Sequence, residues 1–459
     1  MLYKIKRRYK NLVSDTRFSE ILTGSIWAMI AQVVGACCVL AINIIIARSY
    51  GAAMVGIVAV INSFLLLSTI FTVMGTNTSL LRLIPEHMVM YSPTSAFKVY
   101  RKTQLMVIIL SIMTGIFLFL ASSLIADKIF KKPHLSPYFA IASVFLVFKS
   151  LELLNIQAVR GLRLIKIFAL MQVLPYGLNL LILLLLGLFL PYKNLPVYAF
   201  LGGIAITGTM GWLFMESSFK KKIRPLDTIK PMAVKDILAI SFPMLLTATM
   251  SFAMGQAGII IIGMFRSEAE VGYYAIAVKL SSLTIFILNA VNSMVASKFS
   301  ELFHTGKIEE LFYIAKKSAK LVFITTVPIM FSLLIFGKFI LGVAFGNNFK
   351  LAYPSLILLI IGQFVNSISG STGIFMNMTE NHNVFRNIII STGIFNMALN
   401  FLLIPGLGMY GAAFSAMISI CFWNIITLLY MKNKFGKTTG YFPFLGYFFN
   451  KKANYLSGL

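Results

Sequence analysis

The sequence predicts an all-α, polytopic membrane protein of about twelve transmembrane helices, arranged as two six-helix lobes related by a pseudo-two-fold axis along the membrane normal. Three observations predict it. Of 459 residues, 58% are apolar and only 12% are charged, and the mean hydropathy is +0.87, far above that of soluble domains. The apolar residues gather into runs bounded by charge, proline or glycine, each near the ~20 residues needed to cross a hydrocarbon core of about 30 Å. A motif between the first two runs returns between the seventh and eighth, which divides the chain into halves. This composition excludes a water-soluble enzyme.

Lipid offers no partner to free backbone N–H and C=O groups, so each run is expected to close its own hydrogen bonds as a helix. The first six lie near 24–46, 53–78, 104–125, 138–157, 167–190 and 197–216, and the next six near 237–263, 271–297, 320–337, 354–378, 384–404 and 408–431. Between the two sets runs a basic segment with Lys220, Lys221, Lys222, Arg224 and two prolines. The expected domains are 1–218, a cytoplasmic linker 219–236, and 237–459 with a cytoplasmic tail. The first run is too long for a signal-peptide core and has no small-residue cleavage pattern directly after it, so no cleaved leader is expected. Segments 85–102 and 300–317 are basic and partly amphipathic, and read as cytoplasmic interfacial helices.

The net charge of +26 would point to nucleic acid in a soluble protein, but its distribution gives another reading. With the N-terminus inside, 30 of the 40 basic residues fall on the inner side, 8 on the outer side and two within spans. Positive loops are retained in the cytoplasm, so both termini are expected there, in a bacterial inner membrane. The excess charge then serves topology and attraction to anionic membrane lipids, and no nucleic-acid partner is expected. The outer segment 130–138, with Lys131, Lys132 and His134, breaks the pattern. It reads as a solvated loop, the alternative being contact with an emerging pyrophosphate. Cys37, Cys38 and Cys421 fall in apolar runs without CxxC spacing, and His87, His134, His304 and His382 are far apart, so neither a disulfide framework nor a metal site is expected, and no cofactor.

The internal repeat is concrete. Arg48-Ser-Tyr-Gly-Ala-Ala-Met-Val-Gly56-Ile-Val-Ala-Val has its partner in Arg266-Ser-Glu-Ala-Glu-Val-Gly272-Tyr-Tyr-Ala-Ile-Ala-Val. The offset that aligns Gly56 with Gly272 also pairs Ala59 with Ala275 and Arg82 with Lys298. Each half has an even number of spans, so the two copies share orientation, and the cleft between such lobes is the expected place for a substrate.

At these residues the chain resembles the polysaccharide transporter family, the oligosaccharide-lipid flippases of the multidrug/oligosaccharidyl-lipid/polysaccharide exporter superfamily. The resemblance rests on Gly24-Ser-Ile-Trp27, Ala47-Arg48-Ser-Tyr-Gly51, Leu81-Arg82-Leu-Ile-Pro85-Glu86 and Asn400-Phe-Leu-Leu-Ile-Pro405-Gly-Leu-Gly408-Met-Tyr-Gly411-Ala-Ala413, and covers nearly the whole chain. It implies alternating access that carries a polyprenyl-pyrophosphate-linked saccharide from the inner to the outer leaflet for O-antigen, capsule or exopolysaccharide. Polysaccharide polymerase and glycosyltransferases are the implied partners. Physically, the Gly-Ala-Ala run lets helices pack closely and Pro405-Gly is expected to make a tight turn, so these residues read as scaffold.

An ionisable group inside a span costs about 2.5–3.5 kcal/mol on insertion scales, and so tends to face a water-filled cavity or a partner. Lys149 and Glu152 lie three apart on one face of span four, and Arg160 and Arg163 continue that face as a cationic stripe. Such cations lower the barrier to a pyrophosphate, the alternative being a structural Lys149–Glu152 pair. Lys279 in span eight has no acidic residue within a helical turn, and Ser282, Asn289 and Ser293 share its side; snorkelling to the outer interface is the alternative. Ser25, Gln32 and Asn43 form a weaker stripe in span one, suited to sugar hydroxyls, water or helix-to-helix hydrogen bonds. Arg48 ends span one as a substrate contact or an interfacial anchor, and Glu216 ends span six. The substrate-binding candidates are thus Lys279, Lys149, Arg48 and Arg160, with Gln32, Asn43 and Asn289 as polar cavity lining. Glu152 is the only carboxylate well inside a span and the candidate for coupling to H⁺ or Na⁺; the membrane potential acting on the moving charge is the other route.

Two further classes compete. An ion-coupled exporter of small amphipathic molecules on the same fold calls for acidic or aromatic walls when its cargo is cationic. A membrane glycosyltransferase or polymerase calls for acidic residues in a sizeable outer domain, whereas the only outer acidic cluster is Glu268-Ala-Glu270 in a short loop. An enzyme is therefore not expected.

Overall fold

The computed structural model describes residues 16–189, 192–220, 230 and 232–441. The basic segment 4–10, the linker core 221–229 with Pro231, and the tail from 442 lie outside the described residues, as does the side chain of Ser25. The described chain is helical throughout. Its main helices are α1 Thr16–Val73, α2 Thr76–Met90, α3 Pro93–Leu120, α4 Ser136–Gly161, α5 Ile165–Phe189, α6 Leu195–Lys220 and α7 Val234–Phe265. They continue with α8 Glu268–Ser282, α9 Ile285–His304, α10 Ile308–Ile340, α11 Tyr353–Ser369, α12 Thr372–Met378, α13 His382–Leu407 and α14 Met409–Phe435.

Among the described residues ten stretches are long and apolar enough to cross a membrane, and eleven if the bent pair α8–α9 counts as one span. The first, Met29–Val73, runs for 45 residues, which at 1.5 Å per residue is about twice the hydrocarbon thickness. It is interrupted at Gly51 (φ 83°, ψ 173°), a backbone state open to glycine. Divided there, it supplies spans one and two, and the crossings come to about twelve, as the sequence predicts.

The contacts divide the chain into two compact units, Met1–Ala275 and Ile276–Leu459. In the first, α4 packs on α3 and α6, and α1 packs on α5 and α7. The repeat glycines meet here. A β-carbon at Gly56 would lie 1.8 Å from the Glu268 carbonyl oxygen and 3.0 Å from the Gly272 nitrogen, and one at Gly272 would lie 2.2 Å from the Ala52 oxygen and 3.2 Å from the Gly56 nitrogen. Each glycine thus sits on the carbonyl four residues before the other, a reciprocal contact between the equivalent positions of the repeat that only hydrogen at Cα permits. In the second unit α11 packs on α10 and α14, and α13 on α14.

Three local expectations are corrected. Segments 85–102 and 300–317 are not separate interfacial helices. The first is the end of α2 and the start of α3 around a turn at Tyr91–Ser92, where the Ser92 side chain accepts from the Ser95 N–H and Pro93 opens the helix. The second is α9 turning into α10 at Gly306 (φ 72°). Part of their apolar surface is covered by protein, Phe97 and Tyr100 packing on Phe219 and Phe299 and Phe312 on Phe375, while Val89, Met90 and Tyr313 stay exposed. Pro405-Gly makes no turn; α13 runs through both residues to Leu407, and the chain reverses at Gly408 (φ 56°). The Gly-Ala-Ala reading holds, since a β-carbon at Gly411 would lie 2.7 Å from the Leu403 oxygen.

Candidate functional site

In the first unit the polar groups converge on α4. Lys149 Nζ donates to Glu152 Oε1 at 3.0 Å, with side chains 11% and 5% exposed, and Glu152 Oε2 meets no hydrogen-bond partner. Around this pair the Thr72 and Ser150 hydroxyls lie 2.7 Å apart, Tyr100 Oη donates to Asn155 Oδ1 at 2.8 Å, and Gln104 Nε2 donates to Tyr100 Oη at 3.1 Å. A half-satisfied buried carboxylate is the group whose protonation or counter-ion can be exchanged. The cationic stripe is shorter than expected. Arg160 is exposed and stacks over Phe168 at 5.3 Å, but Arg163 lies beyond the end of α4 in a left-handed conformation (φ 59°), because the helix stops at Gly161.

The remaining first-unit candidates are dispersed. Gln32 is half-buried, and Asn43 is buried with Nδ2 donating to the Val39 carbonyl at 2.6 Å. Arg48 is exposed; its neighbours Ser49 and Tyr50 line a groove of about 610 Å³ with Lys193 and the leucines of α5.

At the other end of these helices Glu268 Oε1 takes Lys132 Nζ at 3.2 Å and His134 Nε2 at 3.0 Å, and Lys132 Nζ also reaches the Arg266 carbonyl at 2.5 Å. The 130–138 segment is therefore not simply solvated: Lys132 is only 15% exposed, and the segment is tied to the loop of the second repeat copy. Burial by itself raises the Glu268 pKa, but its own backbone N–H, Lys132 and His134 outweigh this and hold the carboxyl below its usual value. A carboxyl lowered on folding stabilises the fold above its unfolded pKa and loses that contribution as pH falls through the folded one. The thermal stability of the wild type is thus expected to fall more steeply than that of Glu268→Gln as pH drops below about 4.5, measured by thermal unfolding in detergent. Parallel curves would show that Glu268 carries no such linkage.

In the second unit, span eight is not continuous. Helices α8 and α9 meet at a bend of 42° at Leu283–Thr284. The hydroxyls of Ser281, Ser282 and Thr284 donate to the carbonyls of Val278, Lys279 and Ser281 at 2.7–2.9 Å, the local side-chain-to-backbone bonding that accompanies bent helices. Lys279 is half-buried in the last turn of α8, the end where helix carbonyls favour a cation. Interrupted helices of this kind position charged ligands in transporters, and only the run Ser281-Ser282-Leu-Thr284 marks the break in the sequence. Asn289 and Ser293 are exposed on α9. Away from Lys279 this unit also holds buried amides: Asn366 Nδ2 donates to Gln363 Oε1, Asn424 to Asn366, and Asn400 to Asn396. Sequence reasoning keyed to charge missed this amide ladder. Among the described residues no three His, Cys, Asp or Glu side chains converge as metal ligands do.

About twelve apolar helices around buried lysine, carboxylate and amide groups define a multi-pass α-helical membrane protein. Residues 45–354 match the model of the family described as polysaccharide biosynthesis protein, and the chain belongs to that family. It is 21% identical over 237 residues to the probable low-salt glycan biosynthesis flippase Agl15 of Haloferax volcanii, a match spanning 52% of this chain and about half (49%) of that relative. Among solved structures, the lipid II flippase MurJ in an inward closed conformation superposes with a TM-score of 0.69 at 15% identity, over 90% of this chain and 87% of MurJ. An inward-facing multidrug resistance MATE transporter of the MOP superfamily gives 0.68 at 16% identity, over 87% and 94%. These likenesses fix the fold.

Proposed function

We propose that the protein is a flippase that moves a polyprenyl-pyrophosphate-linked oligosaccharide from the inner to the outer leaflet of the cytoplasmic membrane by alternating access between two lobes, with both termini in the cytoplasm. The observation that carries this reading is the sign of the intramembrane charge. The basic groups inside spans are Lys149 and Lys279, and Glu152 is the one carboxylate well inside a span. Ammonium groups in a low-dielectric passage favour a pyrophosphate and disfavour a cationic drug. Membership of the polysaccharide biosynthesis family and the flippase relative support the same direction. An exporter of small amphipathic molecules shares the fold, as the MATE likeness makes plain, but its cationic cargo fits these lysines poorly. Lys279 and Lys149 are assigned to the head group, with Arg48 and Arg160 at the span ends, and Gln32, Asn43 and Asn289 to sugar hydroxyls. Glu152 is assigned to H⁺ or Na⁺ coupling. The partners are enzymes that build and polymerise the lipid-linked saccharide; the chain itself does no chemistry. Replacing Lys279 with alanine is expected to abolish surface polymer at unchanged protein abundance, measured by immunoblot of both. Normal polymer in that variant removes Lys279 from the passage.

A further inference from the structure

The second unit carries a cationic cavity that the passage does not use. It lies where α10 ends and α11 and α14 begin, has a volume of about 440 Å³, and is lined by Lys338, Asn347, Asn348, Lys350, Tyr353 and Tyr410. The sequence builds it from a special turn. After α10, Leu341–Phe345 forms one π-helical turn, Gly346 (φ 113°) reverses the chain, and Asn347–Ala352 forms a 3₁₀ turn that leads into α11. The Lys350 stem lies across Gly342, where a β-carbon would stand 2.5 Å from its Cε, so glycine there keeps this lysine in place. The Tyr353 hydroxyl donates to the Leu334 carbonyl at 2.5 Å, which fixes its ring, while the exposed Tyr410 hydroxyl reaches the Leu351 carbonyl at 3.5 Å.

The electrostatics are one-sided. The second unit has four carboxylates, Glu301, Glu309, Glu310 and Glu380. Glu309 and Glu310 open α10 while Lys338 sits in its last turn, some 45 Å away along a 33-residue helix. Glu301 belongs to the same end as Glu309, and Glu380 lies beyond α11 and α12, at the far end from Lys350. Two ammonium groups therefore share a concave site that no carboxylate among the described residues of this unit answers. Two lysines alone would suit any phosphate. Two phenol side chains, whose rings suit the C–H side of a sugar, and two asparagine amides, which can both donate to and accept from hydroxyls, narrow the chemistry.

We propose that this cavity binds an anionic saccharide, a sugar bearing a phosphate, with Lys338 and Lys350 on the phosphate and Asn348, Tyr353 and Tyr410 on the sugar. On the topology of the proposed function the cavity opens on the outer side, where it would receive the head group as it leaves; that direction rests on the flippase reading, but binding does not. The test uses the full chain in nanodiscs of zwitterionic lipid, titrated calorimetrically with glucose 1-phosphate, glucose and inorganic phosphate. Glucose 1-phosphate is expected to bind more tightly than either component. Lys338→Gln/Lys350→Gln should weaken it at least about tenfold, as should Tyr410→Ala at unchanged phosphate binding, while Lys432→Gln, at the exposed far end of α14, leaves it unaltered. Undiminished binding in the double lysine variant, or binding no tighter than inorganic phosphate, overturns the proposal. So does full loss of sugar-phosphate binding when the discs contain phosphatidylglycerol, which would assign the lysines to lipid head groups. Loss in Lys279→Ala instead would place the ligand in the passage, supporting the flippase reading while refuting this site.

Discussion

Replacing Gly56 with alanine is expected to prevent native packing of the first unit. The added methyl would fall 1.8 Å from the carbonyl oxygen of Glu268, and the obstacle is helix backbone, which cannot step aside as a side chain would. Overpacking typically costs about 1–3 kcal/mol, and a collision between two backbones belongs at the upper end or beyond. Gly272→Ala should behave alike, its β-carbon falling 2.2 Å from the Ala52 oxygen. Gly177→Ala and Gly255→Ala, where a β-carbon meets nothing within 4 Å, serve as controls that should fold normally. Membrane abundance and thermal unfolding in detergent decide the matter: a Gly56→Ala protein as stable as the controls would show that the reciprocal contact is not made.

The second large effect concerns Lys149 and Glu152. Removing one partner leaves the other charge buried and unanswered, which costs about 3–5 kcal/mol, whereas replacing both by apolar residues of similar volume is close to neutral. Lys149→Met is therefore expected to lower stability strongly and the Lys149→Met/Glu152→Met double variant to recover most of it. Surface polymer separates the roles. The recovered double variant is expected to remain defective, because the passage has lost its cation and its coupling carboxylate. A double variant that is both stable and fully active would make the pair structural only.

Much of this was legible in the sequence, for identifiable reasons. The crossings follow from hydropathy because the bilayer sets one length for every span. The offset matched Gly56 with Gly272 as equivalent positions of a repeat, but equivalence does not by itself bring two residues together, so their contact came from the structure. The Lys149–Glu152 pair follows from spacing along one helix. What could not be read depended on partners distant in the chain. Hydropathy runs smoothly through Ser281–Thr284, so the bend beside Lys279 left only a cluster of hydroxyls as its trace. The basic amphipathic stretches at 85–102 and 300–317 bury Phe97, Tyr100, Phe299 and Phe312 against Phe219 and Phe375, and no pattern within those stretches distinguishes a protein neighbour from a lipid head group. The Lys132–Glu268–His134 cluster and the amide ladder of the second unit likewise join residues from different loops and helices, and the ladder carries no charge to draw the eye.

The most direct test of the central claim is transport in purified vesicles. The protein would be reconstituted with a fluorescent polyprenyl-pyrophosphate saccharide in the leaflet that faces the cytoplasmic side of the chain, and arrival in the opposite leaflet read by quenching with an impermeant reagent. The account predicts transfer that needs the protein and is lost in Lys279→Ala. Failure to move this lipid, together with ready export of a cationic amphiphile from the same vesicles, would contradict it.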